Sequence, residues 1–470
     1  MVWNFNKYSN KTAVIDDHGN IVSYSELEEM GKQLADTIGK RCLVFSLCSN
    51  QAGSVAGYAA FLNHNIVPVL LNAHLEEELL RNLIETYKPA YIWLPSNQKE
   101  LFDGMQVVYS YKGYDLLRTD FSEEYAMNCD LGLLLTTSGS TGSPKFVRQS
   151  YSNVKANAES IVNYLELDET ERPISTLPMN YTYGLSIINS HLLVGATLLM
   201  TEKTLMQKEF WQFFREEGAT SFGGVPYTYE MLDKLRFFRM DLPTLRYSTQ
   251  AGGKLSPELH KKFAEYARSL GKKFIVMYGQ CEATARMGYL PAEYSLEKYG
   301  SMGIAIPGGE FTLIDIDEKE ISEPNITGEL VYRGPNVTMG YAECGEDLVK
   351  GDERGGVLKT GDMAQRDEDG FYYIVGRKKR FLKIYGNRVN LDEVDRLIKD
   401  KFDYIECAST GVDDHLYIFI TDEKLVDAVK KFIVDKTGFN HVAIKVKKID
   451  EIPKNDSGKV LYTKLSEMCN

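Results

Sequence analysis

None of the seven cysteines (Cys42, Cys48, Cys129, Cys281, Cys344, Cys407 and Cys469) forms a Cys-x-x-Cys pair, and no histidine stands at metal-ligand spacing from them. That absence argues against zinc ribbons and paired-thiol redox chemistry, and leaves reduced, mostly structural thiols of the kind kept in a cytoplasm. Positive charge is also short: Lys and Arg number 54 against 66 Asp and Glu, a net charge of −12. A non-specific binder of phosphate backbones needs the opposite balance, so no nucleic acid partner is expected. No uninterrupted apolar run reaches the roughly 20 residues of a membrane span; the longest, near Ala56 to Leu71, is broken by Asn63, His64 and Asn65. The opening Met1-Val-Trp-Asn-Phe-Asn-Lys-Tyr8 lacks the charged start and apolar stretch of a secretory leader. Internal repeats, low-complexity tracts and a Walker A pattern are missing too. Export and membrane anchoring are therefore not expected, and the location expected is cytoplasmic.

What is present is a globular composition, 43% hydrophobic, 26% charged and 11% aromatic. At 470 residues the chain exceeds the roughly 250 to 300 at which a single core stops growing, so two or more domains are expected. Apolar runs at Arg41 to Ser46, Ile66 to Leu71 and Leu131 to Leu135 alternate with helical stretches, the pattern of an α/β protein. Ser23 and Glu26 are spaced as a capping box opening a helix. From about Gly300 short strands are separated by Gly, Pro and Asn-rich turns, which predicts a small β subdomain. After Lys383 a helix carries Val394, Leu397 and Ile398 on one face, a strand runs from His415 to Thr421, and a second helix lies around Glu423 to Lys436. This last part has the size and pattern of a separate α+β domain.

Five segments carry chemistry. Thr136-Thr-Ser-Gly-Ser-Thr-Gly-Ser-Pro-Lys145 follows an apolar strand; its hydroxyls, its two glycines and Lys145 suit a polyphosphate, although alone it reads also as a flexible turn. Met277-Tyr-Gly-Gln-Cys-Glu282 ends another strand, with Tyr278 able to stack on a base and Glu282 able to hold Mg²⁺; alone it is also a core tyrosine followed by a solvated glutamate. In Lys359-Thr-Gly-Asp-Met363, Asp362 can accept hydrogen bonds from a ribose diol, or the segment is simply a turn. Gly376 to Arg388 is rich in Lys and Arg, as a solvated hairpin would be, and Pro453-Lys-Asn-Asp-Ser-Gly-Lys459 reads alone as a surface loop.

Together, once each and in this order, the five resemble the motif series of the adenylate-forming superfamily, which includes acyl- and aryl-CoA synthetases, peptide-synthetase adenylation domains and luciferases. The resemblance runs from about Ser23 to Leu465 and takes in Gly328-Glu-Leu and Gly334-Pro-Asn-Val-Thr-Met-Gly-Tyr341. It implies the fold class: α/β, with a large N-terminal α/β domain carrying a β subdomain (1–378), hinged to a small α+β C-terminal domain (379–470). It implies ATP and Mg²⁺, with Thr137, Ser138, Gly139, Ser140, Thr141, Gly142 and Lys145 as the phosphate loop, Tyr278 on adenine with Gly279 beside it in the nucleotide site, and Glu282 as catalytic residue and metal ligand. Cys281 replaces the usual threonine at the α-phosphate. Asp362 is implied for the ribose hydroxyls, Arg377 beside them, Lys379 as the hinge, and Lys459 as the catalytic lysine between substrate carboxylate and α-phosphate. The chemistry accounts for a lysine. A carboxylic acid is already ionised near neutral pH, so no base is needed, and the obstacle is repulsion between two anions, which a cation relieves.

The same resemblance points to an acid-thiol ligase: a small or medium aliphatic or aryl carboxylic acid is adenylated and then passed to CoA or to the phosphopantetheine of a separate carrier protein. A luciferase-like oxygenase shares the fold and a lysine at the hinge. Tyr181, Tyr183, Phe222, Gly252, Gly253 and Met287 are implied as the acyl pocket, with Tyr181 where many relatives carry histidine. Gly184 stands where amino-acid-activating members carry an aspartate, which makes an α-amino acid the less expected substrate. Arg286, four residues past Glu282, is expected as a surface arginine, the commoner place for that residue, or else as a partner for a second polar group on the substrate.

Overall fold

The computed structural model describes residues 2–121, 125–136, 145–385, 387–402, 405–454 and 460–469. Two compact units divide the chain: residues 1–311 with 332–358, and residues 312–331 with 359–470.

The first unit is built on two large sheets. In the sheet that runs from Ile304–Ala305 to Ile21–Ser23, the strands Lys273–Gln280, Tyr247–Gln250, Ser221–Gly224, Pro173–Ile174, Leu198–Met200 and Thr12–Asp16 lie side by side in that order and parallel. The other sheet is parallel through Leu131–Thr136, Val67–Asn72, Leu43–Cys48 and Tyr91–Pro95, and antiparallel towards both edges. Sheets covered on both faces need continuously apolar strands, and Leu43–Cys48 is buried at every position. The helix Ala52–Asn63 is buried along its whole length, so its sequence shows no polar face. Before the helix Tyr24–Ile38, Ser23 and Glu26 form the expected capping box.

Two helices of the first unit bury a histidine without a carboxylate. In Thr182–Val194, His191 is 2% exposed; its Nδ1 lies 2.8 Å from the carbonyl of Ile187 and its Nε2 3.1 Å from the Tyr247 hydroxyl. That pattern fits a neutral ring with the proton on Nδ1. In Pro257–Ser269, His260 Nδ1 accepts from the Gly300 N–H, and Nε2 lies 3.0 Å from Ser295 Oγ. Burial lowers both imidazoles to about 4. The unfolded chain takes up protons below about pH 6.5 while the folded one does not until about pH 4, so stability falls as pH drops through that window, by up to about 3 kcal/mol per imidazole. The melting temperature is therefore expected to decline steadily from pH 7 to pH 4.5, with a shallower slope in His191→Gln. A flat profile would rule the effect out.

The second unit holds most of a four-stranded sheet, Glu310–Ile314, Gly328–Arg333, Val357–Arg366 and Tyr372–Arg377 in that order, the last two antiparallel, where short strands are expected from about Gly300. A hairpin Phe381–Ile384 and Asn387–Asn390 follows, then a three-stranded sheet of Cys407–Val412, His415–Ile420 and Ile444–Lys448 with the helices Leu391–Lys401, Val426–Thr437 and Tyr462–Glu467. Val394 and Ile398 enter its core and Leu397 packs against it, the face expected from sequence. The architecture is a large α/β domain with a smaller α+β domain.

Candidate active site

Open α/β sheets bind ligands at the carboxyl ends of their parallel strands. Four neighbouring strands of the first unit end in segments singled out by sequence. Pro173–Ile174 leads to Leu177 to Gly184, Ser221–Gly224 to Pro226, Tyr247–Gln250 to Ala251-Gly-Gly-Lys254, and Lys273–Gln280 to Cys281-Glu282. The register sets Gly224 beside Gln250 and Gln250 beside Val276. Segments far apart in sequence thus share one edge of the sheet.

At the end of Lys273–Gln280 the backbone turns sharply. Thr284 and Ala285 have φ of 51° and 95°, values that L-residues other than Asn and Asp seldom adopt. The chain then returns as Ala285–Tyr289, antiparallel to the strand it left, with a bulge between Tyr278 and Gly279. A Cβ on Gly279 would fall 1.6 Å from the Ala285 carbonyl oxygen, so only glycine permits this return. The turn fixes Glu282, which is half-buried, and accepts on Oε1 a hydrogen bond of 2.8 Å from the Tyr341 hydroxyl. Burial first, and the Glu282 carboxylate second, push the Tyr341 hydroxyl above its ordinary range, so it remains a donor. The Glu282 carbonyl accepts from the Thr338 N–H and hydroxyl, each at 3.0 Å, and from Arg354 at 3.3 Å.

Tyr341 gathers cations. Lys145 Nζ lies 4.0 Å from its ring centroid and the Arg354 guanidinium 4.8 Å. Lys145 also meets the exposed Glu343 at 3.7 Å, a contact weak enough for a stronger anion to replace. Tyr341 lies on the strand Gly340–Ala342, paired to Phe146–Ser150 with Tyr341 opposite Val147, and Arg148 of that strand is fully buried with its Nε donating to the Tyr341 carbonyl. Tyr341, Arg354 and Arg148 were not singled out as site residues by sequence. The only signal was the Gly-Tyr that closes the Gly334 to Tyr341 segment.

Tyr278 lies edge-on to Phe311, with ring centroids 6.2 Å apart, and Cys281 is buried at 7% exposure. Tyr181 and Tyr183 form an edge contact at 6.5 Å, and the Tyr183 hydroxyl meets Thr249 Oγ1 at 2.7 Å. Gly252 has φ of 83°, and a Cβ there would come within 2.7 Å of the Tyr181 hydroxyl; one on Gly253 would meet Pro226 at 3.0 Å. Phe222 packs against Tyr229 and Phe237, whereas Gly223, pointing to the opposite face of the strand, approaches the Tyr183 hydroxyl. Met287 is fully buried, and alternation along its strand turns it away from the face that carries Arg286.

Arg286 is not a surface residue. It is 3% exposed, because the unforeseen turn at Thr284 and Ala285 sends the following strand into the core. In the second unit, Asp362 is 4% exposed and faces Arg377 across the antiparallel pair of strands, Oδ1 to Nε 3.2 Å. Their spacing in sequence is the register of a hairpin. Thr137 to Gly142 and Lys459 lie outside the described residues, as does the Lys379 side chain.

Among the described residues no cluster of three His, Cys, Asp or Glu could cage a metal ion. Mg²⁺ needs less than a cage: one or two carboxylates suffice when substrate phosphates supply the other oxygens, and Glu282 is a carboxylate of that kind. Among them, too, no helix is long and apolar enough to cross a membrane.

The chain is similar to 2-succinylbenzoate–CoA ligase of Geobacillus sp. (strain WCH70), 25% identical over 97% of this chain and 94% of that one. It is 29% identical to oxalate–CoA ligase of Arabidopsis thaliana over 70% of this chain, an alignment spanning 66% of the plant protein's own length. In fold it resembles the o-succinylbenzoate CoA synthetase of Bacillus subtilis in complex with its acyl-adenylate intermediate, with a TM-score of 0.79 at 22% identity, covering 98% of this chain and 96% of that one. A family profile described as AMP-binding enzyme matches residues 1–342, and the chain belongs to that family, the ATP-dependent adenylate-forming ligases.

Proposed function

We propose that the protein is an acyl-CoA synthetase: it joins a small or medium carboxylic acid to AMP and transfers the acyl group to the thiol of CoA. The observation that carries this reading is the half-buried Glu282 carboxylate, held by Tyr341 beside Lys145 and Arg354 at the end of a parallel strand. Such a group of one anion and two cations suits a magnesium-bound triphosphate. Glu282 would hold the ion, which supplies charge neutralisation on the phosphates. Lys145, released from Glu343, would turn to the phosphate oxygens, and Tyr278 would stack on adenine.

In the first step a substrate carboxylate oxygen forms a bond to the α-phosphorus while the bond to pyrophosphate breaks, the leaving group taking the electron pair. Lys459 is assigned the place between the two approaching anions. In the second step the thiol sulfur attacks the acyl carbonyl carbon, its proton is lost, and AMP departs. Lys379 is assigned the hinge between the two steps. Its neighbours are tied in opposite directions, Lys378 to Glu329 of the four-stranded sheet at 2.6 Å and Arg380 to Asp395 of the α+β domain at 2.8 Å, an arrangement that supports rotation at the residue between them. The reading of the substrate as something other than an α-amino acid draws support from Gly184, where any Cβ would lie 2.3 Å from the Pro178 carbonyl oxygen. Two relatives are named for acids with two carboxylates, oxalate and 2-succinylbenzoate, and CoA is the thiol in both names.

The test is a library of carboxylic acids screened with Mg-ATP for AMP and pyrophosphate release, first with CoA and then with phosphopantetheinylated carrier proteins, with Lys459→Ala as control. CoA-dependent release that Lys459→Ala lowers by at least about 10²-fold is the expected result. Release with a carrier alone would move the protein to carrier loading, and no release with any acid would overturn the reading.

A further inference from the structure

The Arg286 guanidinium has five N–H donors to place in a buried setting. Nε donates to the Ser186 hydroxyl at 3.0 Å, and Nη1 to the Tyr164 hydroxyl at 2.9 Å and to the Met277 sulfur at 3.2 Å. Its carbon sits 5.3 Å from the centroid of the Tyr183 ring. Among the described residues none accepts from Nη2, and no Asp or Glu lies within ion-pair distance of the group. The surroundings are apolar and aromatic, since Tyr183 and Met277 share a cluster with Leu177, Val225, Ile275 and Tyr247. A buried cation without an anion is costly, and three neutral contacts do not cancel its charge.

We propose that Arg286 receives a second carboxylate on the acid substrate, so that the acids activated here are dicarboxylic. The inference rests on the acyl-adenylating reading above and narrows its substrate class. A carboxylate supplies what is missing, a negative charge and acceptors that match the planar fork of a guanidinium. Arg286 lies against Tyr183, which together with Gly223 and Gly252 belongs to the strand-end edge assigned to the acyl group. One end of the acid would be adenylated while the other is held by Arg286. A monoacid of equal length would bring an apolar tail to the cation, and sites built for a polar group reject analogues that lack it.

The test is acid-dependent exchange between ATP and labelled pyrophosphate, using diacids from malonate to suberate and their aryl counterparts, each beside its length-matched monoacid and its monomethyl ester. In the wild-type protein kcat/KM for the preferred diacid is expected to exceed that of its monoacid and ester by at least about 10²-fold. Arg286→Met is expected to bring the ratio within about tenfold, and Arg286→Lys to leave it between these values. Monoacids or esters that match or surpass diacids in the wild-type protein would overturn the inference without recourse to any variant, while leaving the adenylating reading intact. If no acid supports exchange, the adenylating reading fails and this one with it.

Discussion

Glu282→Gln is expected to lower acid-dependent ATP–pyrophosphate exchange by at least about 10²-fold while moving the melting temperature by no more than about 2 °C. The two halves of that expectation come from different parts of the same side chain. The structural part is the hydrogen bond that Oε1 accepts from the Tyr341 hydroxyl at 2.8 Å, and a glutamine oxygen accepts it equally well. The backbone ties to Thr338 and Arg354 run through the Glu282 carbonyl and are untouched by the substitution. Only the charge is lost, and with it the hard anionic ligand of the proposed Mg²⁺ site. Raising the Mg²⁺ concentration is expected to recover part of the rate, which a merely structural role would not produce. Full exchange activity in Glu282→Gln at ordinary Mg²⁺ would remove Glu282 from the metal and leave the cluster around Tyr341 without its proposed purpose.

The parts of the site that were legible in sequence are those carried by short motifs in a fixed order, which the chain shares with a known family. Asp362 and Arg377 are named through the motif series they resemble, and their fixed spacing is that of one hairpin, across which they face each other. Gly279 and Gly252 come with the same resemblance, and the structure gives each a physical reason: close approach to the Ala285 carbonyl for Gly279 and positive φ for Gly252. The unforeseen parts have two causes. The turn at Thr284 and Ala285 uses positive φ at residues that carry no signal for it, so nothing in the sequence shows that the next strand turns into the core, and Arg286 is expected at the surface only because arginine usually sits there. Period-two alternation decides between Phe222 and Gly223 at the Tyr183 face, but a four-residue strand buried on both sides shows no polar side by which to orient it. Tyr341 and Arg354 reach Glu282 across 59 and 72 residues. Contacts of that range follow from sheet order, and the order of Gly340–Ala342 beside Phe146–Ser150 is not written in either strand alone.

Arg148→Met is expected to cost the first unit about 3 to 5 kcal/mol, a large share of the roughly 5 to 15 kcal/mol that holds a folded protein together. Arg148 has no exposed side-chain surface. Its guanidinium donates to the carbonyls of Tyr341 at 2.9 Å, Met339 at 3.1 Å, Gly351 at 3.2 Å and Lys350, and pairs with Glu353 at 2.6 Å. Methionine fills much of the same space and satisfies none of these acceptors, so the buried Met339 carbonyl is left without a donor and the part-buried ones lose theirs. Lysine is not expected to rescue it, because one ammonium cannot span acceptors arranged around a planar fork. Gly340 shows how closely the group is enclosed: with φ of 122°, a Cβ there would fall 2.4 Å from Glu353 Oε2 and 3.0 Å from Arg148 Nη2. The loss is measurable by urea unfolding followed through tryptophan fluorescence, since Trp3, Trp93 and Trp211 all belong to the first unit. Because Arg148 holds the carbonyl of Tyr341, the strand that presents Tyr341 to Glu282 loosens with it. Exchange activity is therefore expected to fall even at temperatures where the variant remains folded. Unfolding within about 1 kcal/mol of wild type would mean that the four carbonyls find other donors, and that Tyr341 is positioned by its strand pairing alone.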